Sequence, residues 1–212
     1  MNLKGDFKLN HWDEKFDSEE YIYGKEANLL VKEIFQKQAD NNEKILLLAE
    51  GEGRNAIYLA KLGYDITTYD ISQVGIHKQY QLASEACVDI DAKYGDITKP
   101  NLTSESLFNY SINIFGHVPN EGKKEMFNNL IQPLIIGGHS YFEFYSKEQL
   151  VYGTGGPKNE AMLYTIEEIK AYLKHLPVKI HQLEKHEVYR NEGIKHTGKG
   201  CIIQGHIERI SI

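Results

Sequence analysis

The chain has 212 residues and a mass of 24.3 kDa, enough for one domain that buries a core without disulfide staples. Hydrophobic residues make up 41% and charged residues 25%, which excludes bulk disorder, while a net charge of −6 without any Lys/Arg run argues against a nucleic-acid partner. The longest apolar run, Ile45 to Ala49, is far short of the ~20 residues of a membrane helix, the first residues carry no apolar leader segment, and Cys87 and Cys201 are too few for a disulfide framework, so a soluble cytoplasmic protein is expected.

Helical spacing of Leu29, Leu30, Ile34 and Phe35 predicts a helix from about Lys25 to Gln38, ended by Asn41-Asn42. Lys44 to Ala49 reads as a strand buried on both faces of a parallel sheet. Gly51-Glu-Gly53 follows, then a helix from Arg54 to Leu62 stopped by Gly63. Asp65–Asp70 is β-rich, Ser72 caps a helix to about Ala86, and Asp91–Asp96 is strand-like. Tyr110–Phe115 is a further strand, and Pro119 opens a helix ending near Gln132. Gly137-Gly138 is expected to turn into a strand from His139 to Tyr145, and Thr165-Ile-Glu-Glu168 is a capping box for a helix to His175. Two β-prone segments, near Val178–Tyr189 and Gly200–Ile210, joined by a polar turn with Gly193 and Gly198, predict an antiparallel edge hairpin. Alternating strands and helices predict an α/β fold, a doubly wound, Rossmann-like, mostly parallel sheet with helices on both faces.

The turn Glu50-Gly51-Glu52-Gly53-Arg54-Asn55 carries the strongest chemical signal. Its glycines bend the chain tightly and let a ligand approach the free N–H groups of the next helix. Asp70, ending the second strand, is placed to accept the ribose hydroxyls of an adenosine. A dinucleotide would set its pyrophosphate beside Glu50 and Glu52, whereas S-adenosylmethionine (SAM) brings a sulfonium, an ammonium and no phosphate. Like charges near ~5 Å cost about 1–3 kcal/mol at intermediate dielectric, so the acids favour the cationic ligand.

The run from Lys44 through Glu50-Gly-Glu-Gly-Arg-Asn55 to Asp65 resembles the first motif of class I SAM-dependent methyltransferases, in the subgroup of tellurite-resistance and thiopurine-type enzymes. The resemblance extends over Trp12-Asp13, Tyr21-Ile-Tyr-Gly24, Tyr69-Asp-Ile-Ser72, Ile114-Phe-Gly-His-Val-Pro119, Gln149 to Pro157 and Glu192 to Gln204. It implies one methyltransferase domain over 1–212, a seven-stranded sheet with its last strand antiparallel, and a helical cap over 1–43. It further implies SAM as cofactor and S-adenosylhomocysteine as product. Glu50, Gly51, Glu52, Gly53 and Asn55 would form the turn at the amino-acid portion of SAM. Asp70 would bind ribose, Ile71, Asp96 and Ile97 would meet adenine, and Phe115 would lie near the sulfonium. Trp12 and Tyr23 would close over the ligand from the cap. Two positions depart from the family pattern: Leu47 replaces a frequent strand acid, and Ala49 replaces the first glycine.

Methyl transfer needs a base only when the acceptor must lose a proton. His117 is the candidate for that role, with a backbone-bonded loop histidine as the plain alternative. Tyr145, Arg190 and His196 are candidate acceptor contacts, and the loop Tyr152–Pro157 reads either as a lid or as a connection. The nine histidines show no His-x-x-x-His pairing and the cysteines no Cys-x-x-Cys spacing, so no metal is expected. The expected function is methyl transfer from SAM to a small soluble acceptor by a monomer or homodimer, without membrane contact. An NAD(P)-binding oxidoreductase and a non-catalytic SAM-binding scaffold are the alternatives.

Overall fold

The computed structural model describes residues 10–40, 43–103, 107–192 and 196–211, with the backbone alone at 191, 192 and 196. Two short helices, α1 (His11–Phe16) and α2 (Leu29–Ile34), precede strand β1 (Lys44–Leu48). Then α3 (Arg54–Lys61), β2 (Asp65–Asp70), α4 (Gln73–Ala86) and β3 (Asp91–Tyr94) alternate. β4 (Phe108–Ile114), α5 (Lys123–Ile131) and β5 (Leu134–Tyr145) form the second half of the parallel sheet. The single-turn α6 (Gln149–Tyr152), then α7 (Ile166–Leu173) and the hairpin of β6 (Val178–Glu192) and β7 (His196–Arg209) follow. Among the described residues the seven strands form one sheet in the order β3-β2-β1-β4-β5-β7-β6. β1 to β5 pair in parallel, and β7 runs antiparallel between β5 and β6. This is the predicted doubly wound sheet with an antiparallel last strand.

β1 is apolar throughout because it is covered on both sides. Leu46 and Leu48 face the layer of Phe127 and Leu130 from α5 and Ile169 from α7, while Ile45 and Leu47 face Val31, Phe35, Ala56 and Leu59. Each of these fully buried leucines is worth about 1.5–3 kcal/mol over leaving it in water. The predicted caps form: Ser72 Oγ accepts from the N–H of Gly75 (2.9 Å), and Thr165 and Glu168 make a reciprocal capping box.

Three elements differ from expectation. α2 spans Leu29–Ile34 rather than Lys25 to Gln38: Asn28 caps its start and is itself anchored, and Phe35 is its C-cap. The Asn28 N–H donates to Asn55 Oδ1 (2.9 Å) and its amide to Glu143 Oε1 (3.0 Å). Asn41 and Asn42, expected to end that helix, lie outside the described residues. Gly137-Gly138 is not a turn before β5 but an irregularity inside it: Phe108 pairs with Leu134, yet Tyr110 pairs with His139. Gly137 holds φ +78° there, and a Cβ on Gly138 would stand 3.0 Å from the Ile135 carbonyl. In the terminal hairpin Gly198 belongs to β7, paired with Arg190, and Gly193 lies outside the described residues. Among the described residues no helix is long and apolar enough to cross a membrane.

Candidate active site

The strand order reverses between β1 and β4, and a crevice opens beyond the carboxyl ends of the strands at such a point. A cavity of about 690 Å³ occupies that place. Two of its lining residues, Ala49 after β1 and Phe115 after β4, hold left-handed φ values of +55° and +58°. Such strain costs about 1–3 kcal/mol per residue and gathers at functional sites. At Ala49 the backbone keeps the left-handed conformation that favours the glycine of the family pattern.

The turn after β1 is built on three carboxyl groups. Glu50 folds back onto α3: its Oε1 accepts from the N–H groups of Asn55 (2.8 Å) and Ala56 (2.9 Å). Desolvation pushes its carboxyl up to about 7. Glu52 is buried against Lys78 (2.8 Å) and accepts from the N–H of Ile22 (2.9 Å), while Lys78 also donates to the Glu20 carbonyl (2.8 Å). Glu52 therefore fastens the segment around Tyr21 to the turn, and its charge is compensated. Asp70 accepts from the N–H of Gly51 (2.7 Å) and of Ser72 (2.8 Å). Burial, with a smaller contribution from Asp13, raises its carboxyl to about 6. Asp96 accepts from the N–H (2.9 Å) and hydroxyl (2.6 Å) of Thr98.

Glu52 is neutralised by Lys78 and is a poor guide to ligand charge. Glu50 discriminates in another way, because its carboxyl already occupies the first N–H groups of α3 that a pyrophosphate would need.

The cap over the cavity comes from α1 and the segment after it. Asn10 donates to the Ile71 carbonyl (2.7 Å), and Asp13 accepts from the Ser72 hydroxyl (2.7 Å). Thus α1 docks on the amino-terminal end of α4. That docking turns Trp12, Lys15 and Phe16 toward the cavity, beside Tyr23. Lys15 was not expected at the site. Its Nζ lies 4.3 Å from the Trp12 ring centroid and 5.0 Å from that of Tyr23, and donates to the Tyr23 hydroxyl (2.5 Å). The i, i+3 spacing from Trp12 to Lys15 was the available signal. A cation thus already lies against the two aromatic rings expected to close over the ligand.

On the opposite wall Phe115 stacks on Tyr145 at 4.6 Å. His117 lines the same wall but has both ring nitrogens engaged. Nε2 accepts from the N–H of Tyr145 (3.0 Å), so Nδ1 carries the proton donated to the Phe115 carbonyl (3.0 Å). Burial holds its pKa down to about 4. This is the backbone-bonded histidine, not a group placed to remove a proton.

Gly51, Ile71 and Ile97 join the residues above at the cavity wall. Two expected site residues are placed otherwise. Gly53 is absent from the wall. Its φ of +99° starts α3, and a Cβ there would press on the Gln79 backbone at 3.1 Å, so its role is helix packing. Arg190 is not in an open turn: it is buried in β6, pairs with Glu143 at 2.5 Å and stands 5.0 Å from the Phe115 ring centroid. It supports Phe115 rather than facing the cavity. The His196 side chain lies outside the described residues.

The loop after α6 does reach the cavity, through Gly155 to Asn159. Buried Gln149 holds that loop, donating to Thr154 Oγ1 (3.1 Å) and the Gly155 carbonyl (3.3 Å) while accepting from the N–H of Cys201 (2.8 Å). Its place was not legible from spacing, because its partners lie on β7 and in the loop.

A doubly wound sheet with a switch-point crevice, a glycine turn and acids at the ends of successive strands defines a Rossmann-like α/β fold. The model of a family described as tellurite resistance protein TehB matches residues 19–145, more than half of the chain. The chain belongs to the TehB family.

A Haemophilus influenzae protein named as a probable S-adenosyl-L-methionine-dependent methyltransferase TehB is 28% identical over 97 residues, 46% of this chain. The match spans about a third (34%) of that relative's length. The crystal structure of TehB from Haemophilus influenzae aligns over 86% of this chain and 61% of its own, with TM-score 0.63 and 18% identity. A SAM-dependent methyltransferase from Methanosarcina mazei aligns over 88% and 100%, with TM-score 0.68 and 14% identity. The fold is the one these methyltransferases share.

Proposed function

We propose that the chain is a SAM-dependent methyltransferase acting on a small soluble acceptor, within one domain whose N-terminal segment caps the site. One observation carries the reading most directly: carboxyl groups at the ends of successive strands, Asp70 and Asp96, line a crevice beside a helix start that Glu50 has closed to phosphate. The buried carboxyl of Asp70 at the end of β2 suits a ligand that brings ribose hydroxyls, and the buried carboxyl of Glu50 one that brings positive charge. Family membership and the shared fold support the same cofactor.

SAM supplies a methyl carbon already activated by sulfur, so that an acceptor lone pair forms the new bond as the C–S bond breaks and its electrons return to sulfur. The protein's part is positioning and exclusion of water. Phe115, Tyr145, His117 and the loop at Gly155–Asn159 shape the acceptor side, while Trp12 and Tyr23 close the cofactor side. With His117 committed to backbone groups, an acceptor atom that needs no base from that wall fits the site best. Soft thiolates or metalloid oxyanions meet that condition, and the description of the family as tellurite resistance proteins is compatible with the second. Cys87 and Cys201 are both free thiols, which agrees with the reducing cytoplasm included in this proposal.

The test is incubation with methyl-labelled SAM and a panel of small thiols and tellurite. Label entering one acceptor, with one S-adenosylhomocysteine released per methyl, is the expected result. Saturable SAM binding without transfer to any small acceptor would favour the scaffold reading instead.

A further inference from the structure

A second constellation lies away from the cavity, on the antiparallel part of the sheet. His139 is on β5, His206 on β7 and His181 on β6, three neighbouring strands. One ring nitrogen from each lies within 4.8 Å of the other two. Pairing explains the gathering. His139 stands opposite Glu208, Tyr141 opposite His206, and Lys179 opposite Glu208. Alternation therefore puts His139, Tyr141, His206 and Glu208 on one face of the sheet. β6 contributes through a bulge: Ile180 pairs with Ile207 and Gln182 with His206, leaving His181 as the extra residue at that point. Bulges of this kind re-aim a side chain.

The face is the one opposite α5 and α7, whose contacts are with the alternate residues Phe142, Ile203 and Ile207. His139 is six residues before Tyr145 on β5, so the cluster is about 20 Å along the strand from the cavity wall.

Several features suit a metal ion rather than chance proximity. His206 Nε2 and His139 Nδ1 are 3.1 Å apart. Two nitrogens bound tetrahedrally at 2.0–2.1 Å from zinc stand about 3.3–3.4 Å apart, so this pair is nearly at ligand spacing. His181 is exposed, and a modest side-chain rotation brings its nitrogen in from 4.8 Å or less. Its Nε2 meets Glu208 Oε2 at 2.6 Å, the carboxylate–histidine pairing that orients metal-bound imidazoles. Tyr141 stacks on His206 at 4.5 Å and shields the inner side. His139 and His206 are partly buried, and the outer side remains open through His181.

We propose that His139, His181 and His206 bind one divalent borderline transition ion, Zn2+ in the first instance, with Glu208 orienting His181 and a fourth position open to water. An all-imidazole set suits Zn2+, Ni2+ or Cu2+ and not Mg2+. The ion would tie the edge hairpin to the parallel sheet, independently of the methyl-transfer reading.

The experiment uses the tag-free full chain, stripped with a chelator, and titrates Zn2+ against a chromophoric competitor, with Mg2+ in parallel. One Zn2+ per chain is expected, with no competition from Mg2+ and a rise in Tm of about 5–10 °C at zinc a hundredfold above Kd. Glu208→Gln should weaken binding about 10–100-fold, and the triple variant His139→Asn, His181→Asn, His206→Asn should abolish it. Circular dichroism monitors folding, and His181→Asn alone, on an exposed side chain, serves if the triple variant unfolds. Zinc binding unchanged in His181→Asn or the triple variant, equal binding of Mg2+, or an unmoved Tm would overturn the proposal.

Discussion

Two carboxyl groups at the candidate site are held above their ordinary pKa by desolvation, Glu50 from 4.5 to about 7 and Asp70 from 3.8 to about 6. The folded chain thus binds more protons at these two groups than the unfolded chain between about pH 4 and pH 7, and their contribution to stability falls as pH rises through that window. His117, depressed from 6.5 to about 4, acts in the opposite sense, since its contribution is lost as pH falls from 6.5 toward 4. Stability is therefore a poor readout, and ligand binding is a better one. A cationic ligand favours the ionised carboxyls, so SAM affinity should rise with pH from 5.5 to 7.5, and binding at pH 6.5 should release protons. Calorimetry in two buffers of different ionisation enthalpy measures that release. Proton uptake, or affinity flat across the range, would contradict the placement of these carboxyls beside the cation.

At the scale of elements, the antiparallel strand is fitted to its neighbour by one small residue. Phe142 of β5 pairs with Gly205 of β7, and a Cβ on Gly205 would lie 2.1 Å from the Phe142 ring. That ring is fully buried between Phe127 and Phe144 and has little freedom to retreat. Gly205→Ala should therefore destabilise the chain by about 1–3 kcal/mol through overpacking, seen in urea as a lower midpoint with an unchanged slope. A wild-type midpoint would mean that β7 lies further from β5 than described. Legibility at this scale followed the strength of the local code. β2 and α4 were readable because β-branched alternation and a Ser72 cap are local signals. The start of α2 and the irregularity within β5 were not, because Asn28 is fixed by Glu143 on a distant strand and Gly138 by close approach of β4.

Across the whole molecule, one sheet carries two chemically distinct places: a carboxyl-lined crevice at the switch point and a histidine cluster on the antiparallel side. The first was readable because a glycine turn followed by strand-end acids is written in consecutive segments, and most of the residues chosen from sequence meet at its wall. Gln149 and the true position of Arg190 were not readable, since each depends on a contact between segments far apart in the chain, while for Lys15 the i, i+3 spacing from Trp12 was the one local signal. The second place was invisible for the same reason. His139, His181 and His206 are gathered by strand order, which no spacing rule along the sequence encodes.

Titration calorimetry with S-adenosylhomocysteine, NAD and NADP in parallel at pH 7.5 tests the central claim most directly. The account predicts saturable one-to-one binding of S-adenosylhomocysteine alone. Tight binding of NAD or NADP would contradict it, because Glu50 would then have to release the start of α3 to a pyrophosphate.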